Sequence, residues 1–375
     1  MKKNEGMRGE PSRPPTLFFI LPPSSFILCP MLLDLTRSIL AQPTAPFHED
    51  AVRAEILIQL AQLPSVHVAQ DDFGNVVARY EGCSGHCEYA FAAHMDHPGY
   101  VFKTTGSTAD TGLEENETAR IRSSSPSPVV SPREGGGWEF LGGVPESYRA
   151  KNPPTRDFGA FAMWDLPACE EQDGRIYSRA CDDLIGCVAI LALFQELDRT
   201  RAMPTVYGLF TRAEEVGFVG AIQLAKAGLV PKDITIVSLE CSSEKSPGAG
   251  RMGDGPIIRV GDRTSIFDDA ATAALVKAAT DAKLPHQRCL MSGGTCEATA
   301  YQLYGYRAAA LCVALGNYHN CGPDETIAPE FVDVEDVRGM IQLMLAAATH
   351  ESPADPHSAL REKLEKGLEK YRCYF

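Results

Sequence analysis

The sequence predicts an α/β protein in which a mixed, mostly parallel sheet is covered by helices on both faces and carries a small inserted β-rich domain. Two observations lead to this prediction. Between Arg175 and His350, short apolar runs of strand length alternate with longer segments of helical periodicity. Between Tyr100 and Gly174 that alternation stops, and Gly, Ser and Pro accumulate instead, as in RSSSPSPVVSPREGGG.

The predicted elements follow in order along the chain. Residues 31–40 and 47–63 have the apolar spacing of helices, and FGNVVARY and EYAFAAH read as strands. After the insert come helix LIGCVAILALFQELD, strand TVYGLFT, helix VGAIQLAKAG, strand ITIVSLE, helix DDAATAALVKAATDAK, helix TCEATAYQLYG, strand AAALCVAL and helix VEDVRGMIQLMLAAATH. Strands that alternate with helices favour parallel pairing, with both faces of the sheet covered.

These patterns divide the chain into four parts. Residues 1–30 are expected to be a disordered extension or a misplaced start, because two prolines interrupt their apolar run and a helical pattern begins only at Met31. The tail has Leu360, Leu364 and Leu368 at four-residue spacing, a stripe suited to docking on a neighbour. The parts are the extension 1–30, the main domain 31–99 with 175–350, the insert 100–174, and the helical tail 351–375.

Charge and cysteine content exclude several classes of partner. The chain has 35 Lys and Arg against 49 Asp and Glu, a formal net charge of -14, which repels nucleic acid and anionic membrane surfaces. No apolar run approaches the roughly 20 residues of a membrane helix.

Several of the 12 cysteines, such as Cys187 and Cys312, lie inside apolar runs. Buried free thiols are typical of a reducing compartment, so we expect a cytoplasmic protein.

Acids and histidines follow the predicted strands at the point where each strand ends. Because the carboxyl ends of parallel strands meet at one edge of a sheet, where ligands bind, these side chains are expected to converge. His97, which lies close to His94 in the chain, is a candidate substrate contact. The converging residues are His94 and Asp96, Glu214 and Glu215, Glu240, and His319, together with Asp182 and Asp183 before the helix that begins at Leu184.

This mixture of side chains points to metal ions. Taken singly, each residue has an ordinary explanation, such as a helix cap or a surface acid. Taken together, two histidines and several carboxylates would be untenable at one edge without positive charge among them. Imidazole with carboxylate suits zinc, cobalt or manganese better than calcium. Five ligands that share one carboxylate would supply two adjacent metals.

The motifs resemble, in chain order, those of co-catalytic di-zinc aminopeptidases. The nearest match is the tetrahedral, glutamyl and leucyl aminopeptidase family, once called cellulase M, and the resemblance extends from Met31 to about His350. It implies a phosphorylase/hydrolase-like fold with an oligomerisation domain as the insert. The segments that carry it are AAHMDHPGY, YSRACDDLIG, FTRAEEVGFVGA, the strand ending in Glu240, SGGTCEA and NYHNCGPDE.

The resemblance also implies a role for each site residue. One metal is held by His94, Asp182 and Glu240, and the other by Asp182, Glu215 and His319, so that Asp182 is the bridge. Asp96 orients His94, and Glu214 is the general base. The resemblance further implies that the peptide bond from Asp182 to Asp183 is cis.

These roles imply a metal-dependent aminopeptidase that acts on short peptides with a free N-terminus and forms a homo-oligomer. The implied mechanism is that two divalent cations would lower the pKa of a water molecule, and that Glu214 would take a proton from this water as it attacks the peptide carbonyl. Glu240 stands where many aminopeptidases have Asp, which leaves a related carboxypeptidase or N-acyl amino acid deacylase open. A catalytically silent metal-binding assembly protein is the non-enzymatic alternative. The sequence also has Asn317 in the region where the family commonly has Arg, and Cys296-Glu297 in the region where it commonly has Asp.

Overall fold

The structure is a computed structural model that describes residues 29–104, 136–246, 248–349, 355 and 357–374. The predicted extension therefore lies outside the described residues up to residue 28. The same holds for residues 105–135 of the predicted insert, which include its Ser- and Pro-rich stretch.

The described residues form strands and helices in the following order. The strands are β1 (Val66–Gln70), β2 (Val76–Tyr80), β3 (Cys87–His94), β4 (Gly99–Thr104), β5 (Gly136–Leu141), β6 (Arg156–Asp157), β7 (Phe161–Met163), β8 (Glu170–Gln172), β9 (Arg175–Ser178), β10 (Thr205–Thr211), β11 (Thr235–Ser243), β12 (Ile257–Gly261), β13 (Gln287–Leu290), β14 (Arg307–Leu315) and β15 (Glu330–Asp333). The α-helices are α1 (Cys29–Leu40), α2 (Asp50–Leu60), α3 (Glu146–Lys151), α4 (Leu184–Thr200), α5 (Val219–Ala227), α6 (Asp269–Asp281), α7 (Glu297–Leu303), α8 (Val334–Thr349) and α9 (Ser358–Tyr371). Short 3₁₀ turns lie at Tyr318–Asn320, Pro323–Glu325 and Arg372–Tyr374.

In the part of the chain that the structure describes, eight strands form one large sheet in the order β1-β2-β10-β3-β11-β14-β12-β13. The central strands β10, β3, β11 and β14 are mutually parallel. Strand β2 pairs antiparallel with β10 on one side, and β12 pairs antiparallel with β14 on the other. The predicted mixed, mostly parallel sheet is confirmed.

Helices cover both faces of this sheet, because side chains along each strand alternate between two apolar cores. In β3, Phe91 and Ala93 belong to the core shared with α1, α2, α4, α6 and α8. Ala90 and Ala92 belong to the core shared with α5 and α7. Helix α4 is buried along nearly its whole length, as its continuous apolar sequence predicts. The predicted two-sided covering is thus confirmed.

Two smaller sheets accompany the large one. Strands β5, β4, β7 and β6 form an antiparallel four-stranded sheet within residues 99–163, which is the β-rich insert. Strands β15, β9 and β8 form an antiparallel three-stranded sheet. Strand β8 lies before residue 174 in the chain, yet it pairs with β9 of the main domain and not with the four-stranded sheet.

The tail forms helix α9, and its leucines Leu360, Leu364 and Leu368 are exposed. Among the described helices, none combines the length and the apolar character needed to cross a membrane.

Candidate metal centre

The side chains predicted to form the site meet at the carboxyl edge of the four central parallel strands. His94 is the last residue of β3, and Glu240 lies near the end of β11. Glu214 and Glu215 follow the end of β10 after two intervening residues, and His319 lies in the turn after β14. These strands run in the same direction, so their ends deliver all of these residues to one place.

Asp182 and Asp183 lie in the segment between β9 and α4 and make different contacts. The peptide bond between them is cis. Asp183 caps α4 by accepting a hydrogen bond from the Gly186 amide at 3.1 Å. A Cβ at residue 186 would lie 2.3 Å from the Asp183 carboxylate, so this approach requires glycine. The ordinary explanation by capping therefore applies to Asp183, while Asp182 faces the site.

Asp182 lies between two sets of ligand-type side chains. Its Oδ1 is 3.5 Å from His94 Nε2, and its Oδ2 is 3.7 Å from His319 Nε2. His319 Nε2 is also 3.3 Å from Glu215 Oε1. Ligand atoms of His94, Asp182 and Glu240 all lie within 4.8 Å of one another, and the same holds for Asp182, Glu215 and His319.

These residues fit divalent cations by their chemistry and by their spacing. Two ligands about 2.1 Å from a tetrahedral ion lie about 3.4 Å apart, which is close to the separations around Asp182. Within the described residues, three buried oxygens of the set accept no hydrogen bond: Asp182 Oδ1, Glu215 Oε1 and Glu240 Oε1. A buried carboxylate oxygen that accepts no hydrogen bond costs folding free energy unless a cation coordinates it. The structure thus brings together two complete candidate ligand sets.

The pKa values of the site residues are shifted as expected for acids and histidines that are buried together without a cation among them. Burial raises the pKa of Glu214 well above its ordinary value, and it raises the pKa of Glu240 to about 8. Burial alone would lower the pKa of His319, but the charges of Glu215 and Asp182 outweigh it and raise that pKa to about 9. In the metal-free protein the site therefore retains protons, which a cation would displace.

Asp96 holds the backbone around the site in place. Its carboxylate accepts hydrogen bonds from the amides of Glu214 at 2.9 Å and Glu215 at 3.1 Å. The Asp96 carbonyl lies 3.0 Å from His94 Nδ1, and its carboxylate Oδ1 lies 3.6 Å from the same nitrogen. A proton on Nδ1 leaves the Nε2 lone pair of His94 free for a metal.

The sequence analysis missed one buried acid that contacts the segment just before Glu214. Glu49 is fully buried, accepts a hydrogen bond from the Ala213 amide at 3.1 Å and pairs with Arg212 Nε at 2.7 Å. Burial and the charge of Asp96 raise the pKa of Glu49 to about 7, although Arg212 opposes this. Glu49 precedes α2, far from Glu214 in the chain, and no local pattern marks it.

Two further buried residues support Asp182 and His319. Glu330, on β15, accepts hydrogen bonds from the amides of both residues. His97 has its Nδ1 2.8 Å from the Asp182 carbonyl and its Nε2 3.0 Å from Asn320 Oδ1. The expectation that His97 contacts substrate is wrong, because its ring is fully buried and both nitrogens are engaged. No sequence signal distinguished Glu330 from other acids.

Two cavities adjoin the ligand sets. The larger, about 540 Å³, contains Glu214 and His319 and has an apolar wall that includes Phe218, Ile222 and Leu303. The smaller, about 60 Å³, contains Glu240 and is lined by Ser242 and Arg259. Asp182, Glu240 and Tyr318 border both. The site is thus bordered by a broad cavity with an apolar wall and by a narrow cavity whose lining includes serines and Arg259.

Comparison with known proteins identifies similar chains. Residues 156–343 match the family model described as M42 glutamyl aminopeptidase. A protein of Acetivibrio thermocellus, provisionally named an aminopeptidase, is 25% identical over 181 residues, which are 47% of this chain and 52% of that protein. The match thus spans about half the length of this curated relative.

Solved structures share the fold at low sequence identity. An aminopeptidase from the archaeon Desulfurococcus kamchatkensis superposes with a TM-score of 0.63 at 21% identity, covering 88% of this chain and 96% of that one. The TET1 peptidase of Pyrococcus horikoshii, described as assembling into a tetrahedron or a large octahedral shell, has a TM-score of 0.64 at 19% identity. That match covers 85% of this chain and 100% of the other.

Proposed function

This chain belongs to the M42 glutamyl aminopeptidase family, and from that premise we propose that it is a metal-dependent aminopeptidase that removes N-terminal residues from short peptides. One observation carries the proposal: two sets of three ligand-type side chains share Asp182, and Glu214 lies beside them. A carboxylate that is available as a base next to such sets is what peptide hydrolysis requires.

The proposed ligands of one cation are His94, Asp182 and Glu240, and those of the other are Asp182, Glu215 and His319. Zinc is the proposed ion, and cobalt and manganese suit the same imidazole and carboxylate ligands. When bound, the two cations lower the pKa of water and polarise the peptide carbonyl.

Glu214 is the proposed general base. Its Oε2 is 3.9 Å from His94 Nε2, its side chain is largely buried, and it borders the larger cavity. In this position it takes a proton from the attacking water and later gives it to the leaving amine. Asp96 holds the Glu214 amide, which orients the base toward the cavity.

The smaller cavity suggests which substrates are preferred. Arg259 is 4% exposed and donates a hydrogen bond from Nη1 to Ser242 Oγ at 3.2 Å, while its buried Nε has no partner among the described residues. The cavity of about 60 Å³ is narrow, and its lining includes Ser242, Ser243 and Arg259, which suit a carboxylate group. A buried guanidinium with free donors pairs well with a carboxylate. We therefore propose a preference for acidic N-terminal residues.

Replacing Arg259 with Gln tests this preference. We expect kcat/KM for Glu-p-nitroanilide to fall about 10- to 100-fold, because a charged hydrogen bond to the substrate is lost. Hydrolysis of Ala-p-nitroanilide should stay within about threefold. Arg288→Gln is the control, since Arg288 is an exposed residue of β13 and is not among the residues that line either cavity. Equal losses on both substrates would instead assign Arg259 a structural role.

The aminopeptidase activity itself is tested by metal analysis and hydrolysis assays. We expect two divalent cations per chain, release of nitroaniline from Leu-, Glu- or Ala-p-nitroanilide, loss of that activity on chelation, and its return when metal is restored. Two cations without cleavage, but with hydrolysis of N-acyl amino acids or of C-terminal residues, would replace this proposal with the deacylase or carboxypeptidase alternative. Two cations without any hydrolysis would favour the silent assembly protein.

The same proposal includes the setting in which the protein acts. We propose a homo-oligomer, supported by the likeness to a TET1 peptidase described as a shell-forming assembly. We also propose that the protein acts in the cytoplasm, supported by the free thiols of the cysteines that the structure describes between Cys83 and Cys373. Light scattering of the purified protein tests the first point, and cell fractionation tests the second.

A further inference from the structure

Glu330 connects two separate parts of the candidate metal centre. It lies at the start of β15 and is fully buried. Its Oε2 accepts hydrogen bonds from the amides of Cys181 at 2.8 Å and Asp182 at 3.1 Å. Its Oε1 accepts a hydrogen bond from the amide of His319 at 2.8 Å. One carboxylate therefore binds the backbone of two residues of the same candidate ligand set.

The two segments that Glu330 joins have no close connection along the chain. Asp182 lies between β9 and α4, whereas His319 lies in the turn that follows β14. That turn holds three non-glycine residues in the left-handed region, where this conformation is uncommon, with φ of 52° at Asn317, 53° at His319 and 60° at Asn320. A backbone in this conformation persists only when its surroundings hold it, and the bond to Glu330 Oε1 does so at His319 itself.

The other candidate ligands are held by different groups. His94 is the last residue of β3, and its Nδ1 lies against the Asp96 carbonyl. Glu240 lies within β11, where strand pairing with β14 fixes its backbone. Glu215 is held by the Asp96 carboxylate. A change at Glu330 therefore acts on the spacing between Asp182 and His319 and leaves the supports of His94 and Glu240 in place.

We propose that Glu330 is a positioning residue that sets the separation of Asp182 and His319 and thereby the affinity of the cation they share with Glu215. The inference rests on the proposed two-metal function. In this proposal Glu330 has a selective effect on one of the two cations, although Glu330 belongs to neither ligand set. Asp182 belongs to both sets, but only the second set also depends on the His319 turn.

The test is a metal titration of full-length Glu330→Gln. Glutamine keeps one acceptor oxygen and places an amide where one or two backbone amides now donate. We expect the dissociation constant of Co²⁺ at the second set to rise about 10- to 100-fold, as for other outer groups that orient metal ligands. The constant at the first set should stay within about threefold. His319→Ala lacks a ligand of the second set alone and identifies its transition in the titration.

The Co²⁺ absorption spectrum provides a readout that a general loss of stability would not move. The band of the second equivalent should shift in Glu330→Gln while that of the first equivalent is unchanged. Asp336→Asn is the matched control, because Asp336 is a buried carboxylate that accepts two backbone amides, from Gly253 at 2.7 Å and Gly255 at 2.8 Å, outside the site. This control should bind both cations as the wild type does.

Equal weakening of both cations, or unchanged binding of both, would overturn the role of Glu330. If Glu330→Gln does not fold, Glu330→Asp keeps both oxygens on a shorter side chain. A rise confined to the second cation then supports the inference, and a uniform or absent change overturns it. A wild-type chain that binds fewer than two cations would overturn the proposed function and this inference with it, and the wild-type titration alone distinguishes that case.

Discussion

Replacing Glu214 with Gln tests the proposed base separately from the proposed metal ligands. Glutamine has nearly the same shape but cannot accept a proton from water, so kcat should fall about 10²- to 10⁴-fold. This range corresponds to about 2.7–5.4 kcal/mol of activation free energy. The hydrogen bond from the residue 214 amide to Asp96 is a backbone contact and survives the change. Neither proposed ligand set includes Glu214, so the variant should retain two cations.

The stability of the metal-free variant gives a second expectation. Burial raises the pKa of Glu214 well above its ordinary value. Such a group destabilises the folded protein as the pH rises from the unfolded pKa toward the folded pKa, because the carboxyl ionises less readily in the folded state than in the unfolded state. The glutamine side chain that replaces it has no charge to bury. At pH 8 the metal-free variant should therefore unfold at the same temperature as the wild type or at a higher one.

The assay measures steady-state hydrolysis of a p-nitroanilide, metal content by elemental analysis and thermal unfolding on the same preparations. Glu335→Gln is the control, because the Glu335 side chain is exposed and lies in the first turn of α8. Turnover within threefold of the wild type, with both cations present, would refute the role of Glu214 as base. Loss of a cation would instead place Glu214 among the ligands, in the alternative grouping with His94 and Glu215.

Two further predictions concern the metal-free site and its support. Zinc affinity should rise between pH 6 and pH 9, by up to about tenfold per pH unit for each proton displaced. The pKa is about 8 for Glu240 and about 9 for His319. Both side chains therefore hold protons at the lower end of this range and release them toward its upper end. Competition titrations at several pH values check this, and a flat profile would contradict it. Asp96→Asn leaves the amide of Glu214 or Glu215 without its acceptor, at a cost of about 1–3 kcal/mol. Calorimetry of the metal-free protein should then show a lower unfolding temperature, and an unchanged one would contradict the support assigned to Asp96.

Much of the fold was predictable from local sequence pattern. TVYGLFT forms a strand with the predicted bounds, and the long apolar helix begins at Leu184 as expected. The match over residues 156–343 confirms the family indicated by the motifs. Strands β1, β12 and β13 of the large sheet were not predicted. The side chains of β1 and β13 are exposed or half-buried and leave no apolar run, whereas β12 is buried but only five residues long. Strand β8 was assigned to the insert by chain position, although it pairs with β9.

The candidate ligands were predictable because each one follows a recognisable apolar strand or precedes a recognisable helix. The residues that support them were not. Glu49 and Glu330 are ordinary acids in sequence, and both act on backbone amides more than a hundred residues away in the chain. His97, three residues after the candidate ligand His94, is buried and has its Nδ1 against the carbonyl of Asp182.

By itself, the sequence determined the alternation of strands and helices, the family, and the set of imidazoles and carboxylates available for metal binding. These follow from periodicity and residue type, which are local properties of the chain. Only the tertiary structure decided that Asp182 lies between His94 and His319, that Asp183 caps a helix, and that Glu330 holds Asp182 and His319 together. The physical reason is that a buried carboxylate takes its role from the donors that surround it, and folding brings those donors from distant segments.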